Sequence, residues 1–351
     1  MKLGVSVYLA QPFSMQENYL RKAKANGFKV LFTSLHIPED DVSFYSERLK
    51  QVALFAKQYD MELVCDVSPQ SLEHLNMSWD QVADLTEWGV TGLRIDYGIN
   101  PETVARIAKK MDIILNASTL RDEEITAFIK AGVAPDQVEV WHNFYPRPET
   151  GLGREDFRQL NRRLREYGYS VMAFIPGDVP RGPLYTGLPT LEDHREWSPF
   201  AAFLDLFIGE GVETVLVGDL ALSDESFEQF RLFVEVNSIL LRAKASYVDT
   251  DLEEVHVNRN DVARDVLRSA ESRSLATYGR RTVTPENTSA RPVGTITIDN
   301  SRYGRYQGEL QVTKRDLPAD ERVNVVGRVI AQDRPLLQQI KGGQKWQFKW
   351  M

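Results

Sequence analysis

Five carboxylates stand in or just beyond short apolar runs that alternate with longer amphipathic stretches. They are Asp66 in ELVCDV, Asp96 in GLRIDY, Glu139 in VEVWHN, Asp178 just past SVMAFI, and Asp219 closing TVLVGD. Glu192 is a sixth, in the long segment after the seventh run. Two carboxylates facing one bond can hydrolyse a glycoside: one protonates the leaving oxygen, and the other activates water or attacks the anomeric carbon. Asp66, Asp96, Asp178, Glu139 and Glu192 are therefore the candidate catalytic residues. Each also has a plain structural alternative. Asp96 could pair with Arg94, Glu139 could sit too deep, Glu192 could cap a helix, and Asp219 could cap a helix or end a turn.

The elements that must position these groups are legible as eight β-branched runs, at 3–8, 30–35, 62–67, 92–97, 113–118, 138–143, 170–175 and 214–219. Between them lie helix signals: Ser14 ahead of MQENYLRKAKANG with Gly27 as a stop, Asp41, and Pro101 as a first-turn proline. Strand–helix alternation repeated eight times predicts an α/β fold, a (β/α)8 TIM barrel, over residues 1–242. No glycine-rich dinucleotide fingerprint follows the first run, which argues against an open doubly wound sheet. Active sites of such barrels gather at the C-terminal ends of the strands. Side-chain alternation points Asp66, Arg94 and Asp96, and Glu139, Trp141 and Asn143, into the barrel, because Leu63, Cys65, Val67, Leu93, Ile95, Val138 and Val140 form the apolar outer faces. From 243 to 351 the texture changes to short strands and turns, predicting a small β-rich domain.

Composition sets bounds on function. Hydrophobic residues make up 42% and charged residues 26%, ordinary for a globular protein, and the net charge of −8 argues against nucleic acid as a partner. No stretch reads as a membrane helix or a signal peptide, and the single cysteine, Cys65, suits a reducing compartment, so a cytoplasmic location is expected.

The strings LRIDYG (93–98), HNFYPRPETGL (142–152), IPGD followed by RGPLYTGLPTLEDHR (175–195), and TIDNSRYGRYQGEL (297–310) occur in order over most of the chain. In these the sequence resembles the 6-phospho-N-acetylmuramidase family, glycoside hydrolase family 170. The resemblance implies a barrel followed by a cyclophilin-like C-terminal domain, no cofactor, and hydrolysis of 6-phospho-N-acetylmuramic acid-(β-1,4)-N-acetylglucosamine in cell-wall recycling. The partner is then a small phosphorylated disaccharide, with a homodimer left open.

His142, Asn143, Tyr145 and Arg147 in the most distinctive string are expected to line the pocket. Arg181, Tyr185, Glu192 and His194 lie in a long loop suited to a lid, although His194 could simply pack on Trp197. Asp219 is the remaining substrate-site candidate. For the phosphate, Arg302, Tyr303, Arg305 and Tyr306 offer guanidinium and hydroxyl donors, and the loops after the seventh and eighth strands, with Gly177, Arg181, Gly182 and Gly218, compete with them. Two other classes are open: a metal-dependent isomerase or epimerase using Asp66, Asp178, Glu192 and some of His36, His142 and His194, and a noncatalytic sugar binder. If the hydrolase reading holds, Asp96→Asn and Asp178→Asn, made separately, each cut turnover severely with the fold intact, as steady-state kinetics and circular dichroism would show.

Overall fold

The computed structural model describes residues 1–35, 37, 42–95, 99–246, 252, 254–274 and 282–351. Asp96, His36 and the helix start expected at Asp41 lie outside the described residues. Two compact units divide the chain, Met1–Phe227 and Glu228–Met351.

The first unit is a (β/α)8 barrel. Strands β1 (Lys2–Ser6), β2 (Val30–Ser34), β3 (Glu62–Val67), β4 (Gly92–Ile95), β5 (Asp112–Asn116), β6 (Val138–Trp141), β7 (Ser170–Ile175) and β8 (Thr214–Val217) pair in parallel in that order, and β8 closes on β1. Helices follow the strands: α1 (Phe13–Ala25), α2 (Tyr45–Gln58), α3 (Pro69–His74), α4 (Leu85–Trp88), α5 (Pro101–Ile107), α6 (Asp122–Lys130), α7 (Arg154–Glu166), α8 (Pro199–Leu204) and α9 (Asp224–Val236). Local chemistry explains several of their starts. Ser68, Asn100 and Ser198 each accept a backbone N–H in front of a first-turn proline, at Pro69, Pro101 and Pro199. Helix α1 begins at Phe13, one residue before the expected Ser14 cap, and Pro12 stands at its N-cap without a side-chain bond.

Both faces of every strand are occupied. Outward residues such as Val5, Leu31, Leu63, Leu93, Leu115, Val140 and Val215 are buried. Inside, Val30, Phe32, Val64, Ile114, Trp141, Met172, Phe174 and Leu216 form one apolar cluster. A Cβ on Gly4 would lie 2.7 Å from the Val30 carbonyl oxygen and 2.8 Å from Leu216, so glycine is what this layer accommodates. The barrel is thus plugged in the middle, and polar groups can collect only at its two mouths.

The second unit is built on a seven-stranded mixed sheet. The strands are β9 (Ser238–Ala245), β10 (His256–Val257), β11 (Val266–Arg268), β12 (Thr295–Asp299), β13 (Leu310–Thr313), β14 (Val323–Val329) and β15 (Lys345–Trp350), in the order β10-β15-β9-β14-β12-β13-β11. Asn258, just after β10, bridges Ser269, just after β11, so the sheet curls into a nearly closed barrel. The boundary read from the sequence, 242/243, falls inside β9. Among the described residues no helix is long and apolar enough to cross a membrane.

A buried charge pair holds the second unit together. Asp333, fully buried, accepts from Arg242 Nε at 2.9 Å, Arg242 Nη2 at 2.7 Å, the Arg242 backbone N–H at 3.0 Å and Gln229 Nε2 at 3.0 Å. Asp333→Ala removes the carboxylate that meets two guanidinium nitrogens and a backbone amide of Arg242, and is expected to cost about 3–5 kcal/mol. Chemical denaturation of the full chain would show this as an earlier transition of this unit, and an unchanged midpoint would contradict it.

Candidate active site

A cavity of about 600 Å³ opens at the C-terminal ends of the first unit's strands. Phe32 and Ser34 of β2, Asp66 of β3, Arg94 of β4, Asn143 to Arg147 after β6, Phe174 of β7, and Arg181 to Leu184 after β7 contribute to its wall. The aromatic part rests on the barrel plug: Phe144 meets Phe174 edge-on at 5.1 Å, and Phe32 lies 5.3 Å from Phe174. Such a wall offers apolar contact to the faces of a sugar ring.

One charge array crosses the floor. Parallel pairing sets Asp66 beside Arg94 in register, and Asp66 Oδ1 accepts from Arg94 Nη1 at 2.7 Å. Ser34 Oγ donates to Asp66 Oδ2 at 3.1 Å. Arg94, only 4% exposed, also donates through Nη2 to Asn143 Oδ1 at 2.5 Å and to the Trp141 carbonyl at 3.4 Å. Asn116 Nδ2 reaches the same Asn143 oxygen at 3.4 Å. Because Arg94 can only donate, Asn143 must present its oxygen to it, and the Asn143 NH2 is left without a protein partner among the described residues. Asp66 and Asn143 therefore offer an acceptor and a donor to whatever enters. Tyr145, whose hydroxyl donates to Ser118 Oγ at 3.3 Å, joins them on the wall.

Three other carboxylates act on backbone. Asp219, fully buried at the end of the segment after β8, accepts N–H groups from Gly177 at 2.9 Å, Arg181 at 2.9 Å and Leu188 at 3.0 Å. Burial raises its pKa above the usual carboxylate value, against the pull of those three amides. Asp178 accepts from the Ser223 N–H at 2.7 Å, ahead of α9, and is not part of the cavity wall. Glu192 forms a two-pronged pair with Arg195, Oε1 to Nε and Oε2 to Nη2 both at 2.6 Å, and also accepts from the Glu149 N–H at 2.9 Å and the Gly151 N–H at 2.7 Å. The Arg195 bond, reinforced by those amides, pulls Glu192 down to about 2. Arg195 in turn donates to the carbonyls of Tyr145 at 3.0 Å and Gly187 at 3.1 Å, tying the loop after β6 to the loop after β7. A Cβ on Gly151 would lie 2.5 Å from Glu192 Oε2, so this clamp needs glycine there.

Several expected site residues lie elsewhere. Glu139 points inward as the strand alternation requires, but it is the second residue of β6 and bonds Lys2 at 3.3 Å, which also holds Glu62 at the N-terminal mouth. Depth along the strand, rather than its face, separates Glu139 from the cavity. His142 points outward, where Nε2 meets Asn161 Oδ1 at 2.7 Å and the ring packs on Phe157; burial pushes it down to about 4, leaving a neutral core histidine. His194 packs on Trp197 and meets Asp205 at 2.8 Å, with burial lowering its pKa. Tyr185 is exposed and folds its ring over Gly182.

In the second unit Arg302 pairs with Glu321 at 2.7 Å, Arg305 donates to Tyr306 at 2.8 Å, and Tyr303 lies under Arg322. Glu321 and Tyr306 each take one donor of an exposed guanidinium, and neither Arg302 nor Arg305 lines the barrel cavity. Of the residues considered for a metal, His36 lies outside the described residues, and among the described ones no group of three His, Cys, Asp or Glu side chains is placed to hold an ion. Sequence reasoning missed Ser34 and Asn116, although both end apolar strands on the inward face. It also missed Arg195, whose role depends on contacts between distant loops.

Residues 3–232 match the N-terminal family model of the 6-phospho-N-acetylmuramidases, and residues 237–349 match the C-terminal one. The chain belongs to the 6-phospho-N-acetylmuramidase family. Among solved structures, a conserved protein of unknown function from Enterococcus faecalis is 42% identical, with a TM-score of 0.89 over 100% of this chain and 96% of that one. An uncharacterized B. cereus protein is 26% identical, with a TM-score of 0.74 over 99% of each chain. No curated protein matches the chain. The muramidase is thus a glycosidase by family, and the barrel cavity is its candidate site.

Glu192 gives a test of the clamp. Its folded-state pKa is depressed, so the loop-holding contribution is complete above the ordinary value of 4.5 and is lost as pH falls towards about 2. Between pH 5 and 8 it is a fixed anion. Glu192→Gln should therefore lower kcat/KM by roughly 10- to 100-fold through misplaced loops while both limbs of the pH–rate profile stay where they are. Loss of a limb would make Glu192 a proton-transfer group.

Proposed function

We propose that this muramidase hydrolyses the β-1,4 bond of 6-phospho-N-acetylmuramyl-N-acetylglucosamine in the barrel cavity, with Asp66 as the carboxylate facing the anomeric carbon. The observation that carries this reading is the fixed placement of Asp66: on the cavity wall, with Arg94 on one oxygen and Ser34 on the other. A carboxylate held by two donors cannot swing away, and the positive charge that develops at the anomeric carbon in an oxocarbenium-like transition state is then met without reorganisation. The Asn143 amide N–H groups suit a hydroxyl or acetamido oxygen of the sugar.

The glycosidic C–O bond breaks, the leaving oxygen takes a proton, and water supplies the hydroxyl of the new reducing end. For the proton donor we propose Asp96, two positions beyond Arg94 in the sequence and outside the described residues. Asp178 and Glu192 are better read as loop-holding groups, in view of their backbone partners. The second unit is read as the cyclophilin-like appendage that the resemblance implies. A disaccharide phosphorylated during import is met inside the cell, which supports a cytoplasmic role in recycling cell-wall fragments.

Incubation with the phosphorylated and unphosphorylated disaccharides, followed by mass spectrometry of the free sugars, tests the reading. The phosphorylated one is expected to be cleaved, and Asp66→Asn to lower kcat by roughly 10²- to 10⁴-fold with little change in KM. Near-normal turnover in Asp66→Asn would remove Asp66 from the chemistry, and binding of both sugars without cleavage would favour a sugar-binding role.

A further inference from the structure

Two guanidinium groups on the cavity wall, Arg147 and Arg181, make no side-chain hydrogen bond or ion pair among the described residues; Asp219 is a nearby counter-charge to Arg181, but its oxygens are taken by backbone N–H groups. The other charges on that wall, Asp66 and Arg94, are spent on each other at 2.7 Å. Arg181 lies over the ring of Tyr8, its guanidinium carbon 4.6 Å from the centroid, and the Tyr8 hydroxyl is itself pinned to the Gly218 carbonyl. Its backbone N–H is held by Asp219. The Arg147 carbonyl accepts from Thr150 Oγ1 at 2.6 Å and from Arg195 Nη2 at 3.4 Å, while the residue is exposed and lines the cavity. Both loops are therefore held by their backbones, and among the described residues neither guanidinium spends an N–H donor. An unpaired guanidinium stacked on an aromatic ring keeps its edge donors free for a two-pronged bond to an oxyanion.

We propose that these two arginines read the two anions that distinguish the substrate from other N-acetylhexosamine sugars. Arg181 takes the 6-phosphate and Arg147 takes the carboxylate of the 3-O-lactyl group. The division follows from position: Arg181 sits between the segments after β7 and β8, where barrels of this kind bind phosphate, and Arg147 sits on the loop after β6. This inference rests on the reading that a 6-phosphomuramyl sugar enters the barrel cavity. It places phosphate recognition in the barrel rather than at Arg302 and Arg305, which do not line the cavity.

Calorimetric binding of three monosaccharides tests the assignment independently of catalysis: 6-phospho-N-acetylmuramic acid, N-acetylmuramic acid, and 6-phospho-N-acetylglucosamine. Arg181→Gln should weaken the two phosphorylated sugars by roughly 10- to 100-fold and leave N-acetylmuramic acid unchanged, with Arg181→Lys recovering part of the loss. Arg147→Gln should weaken the two muramic sugars by a similar factor and leave 6-phospho-N-acetylglucosamine unchanged. If the wild-type protein prefers the doubly anionic sugar but the variants lose nothing, lose all three sugars equally, or show the opposite pattern, the assignment is overturned while the function stands. If the wild-type protein shows no preference for the doubly anionic sugar, the function proposed above falls with it.

Discussion

The buried pair between Asp66 and Arg94 governs this site. A guanidinium that is 4% exposed must spend its charge inside the protein, because its desolvation is repaid only by well-placed acceptors. Three acceptors meet it: the carboxylate of Asp66 on the neighbouring strand, the amide oxygen of Asn143, and the Trp141 carbonyl. Each is fixed in turn by what Arg94 demands. Asn143 must turn its oxygen towards Arg94, which leaves its NH2 without a partner among the described residues, and Asp66 takes Ser34 on its second oxygen. The apolar plug formed by Phe32, Trp141, Phe174 and their neighbours closes the barrel directly beneath, so the array sits at the bottom of a cavity with no water-filled channel implied below it.

Above this floor, charge serves a different purpose. Asp219 and Glu192 together accept five backbone N–H groups, and Glu192 adds a bidentate arginine. Long loops over a barrel mouth carry backbone donors that no strand or helix satisfies, and a buried or ion-paired carboxylate is an efficient acceptor for several at once. These groups hold in place the loops that form the wall. The same loops carry the Arg147 and Arg181 side chains to the cavity wall, and Arg181 donates its backbone N–H to Asp219 while its guanidinium lies over the Tyr8 ring.

The barrel was legible in the sequence because each strand is a compact β-branched run and buried parallel strands cannot be anything but apolar on their outward face. Alternation also placed Asp66, Arg94, Glu139, Trp141 and Asn143 on the inward side. It could not give height along the strand as easily, although Glu139 follows only Val138 in β6, which is itself a clue that it belongs to the lower mouth. Carboxylates at strand ends were harder to sort. Whether Asp178 or Glu192 faces substrate or a neighbouring amide depends on where residues such as Ser223 and Gly151 fold, and no local pattern encodes that. The histidines follow the same logic: His142 adjoins the cavity residue Asn143 and His194 lies in the long segment after β7, yet they face Asn161 and Asp205 in packed interiors. Arg302 and Arg305 have the composition of an anion site, and only the fold shows that Glu321 and Tyr306 each take one of their donors.

The central claim is that chemistry takes place at the Asp66–Arg94–Asn143 floor of the barrel. A crystal structure of the Asp66→Asn protein with the intact phosphorylated disaccharide bound tests it most directly. The expected result places the anomeric carbon of the muramyl unit roughly 3–3.5 Å from the residue-66 side chain, in near-attack geometry, with the 2-acetamido group beside Asn143. A disaccharide seated away from this floor, with residue 66 out of reach of the glycosidic bond, would contradict the account.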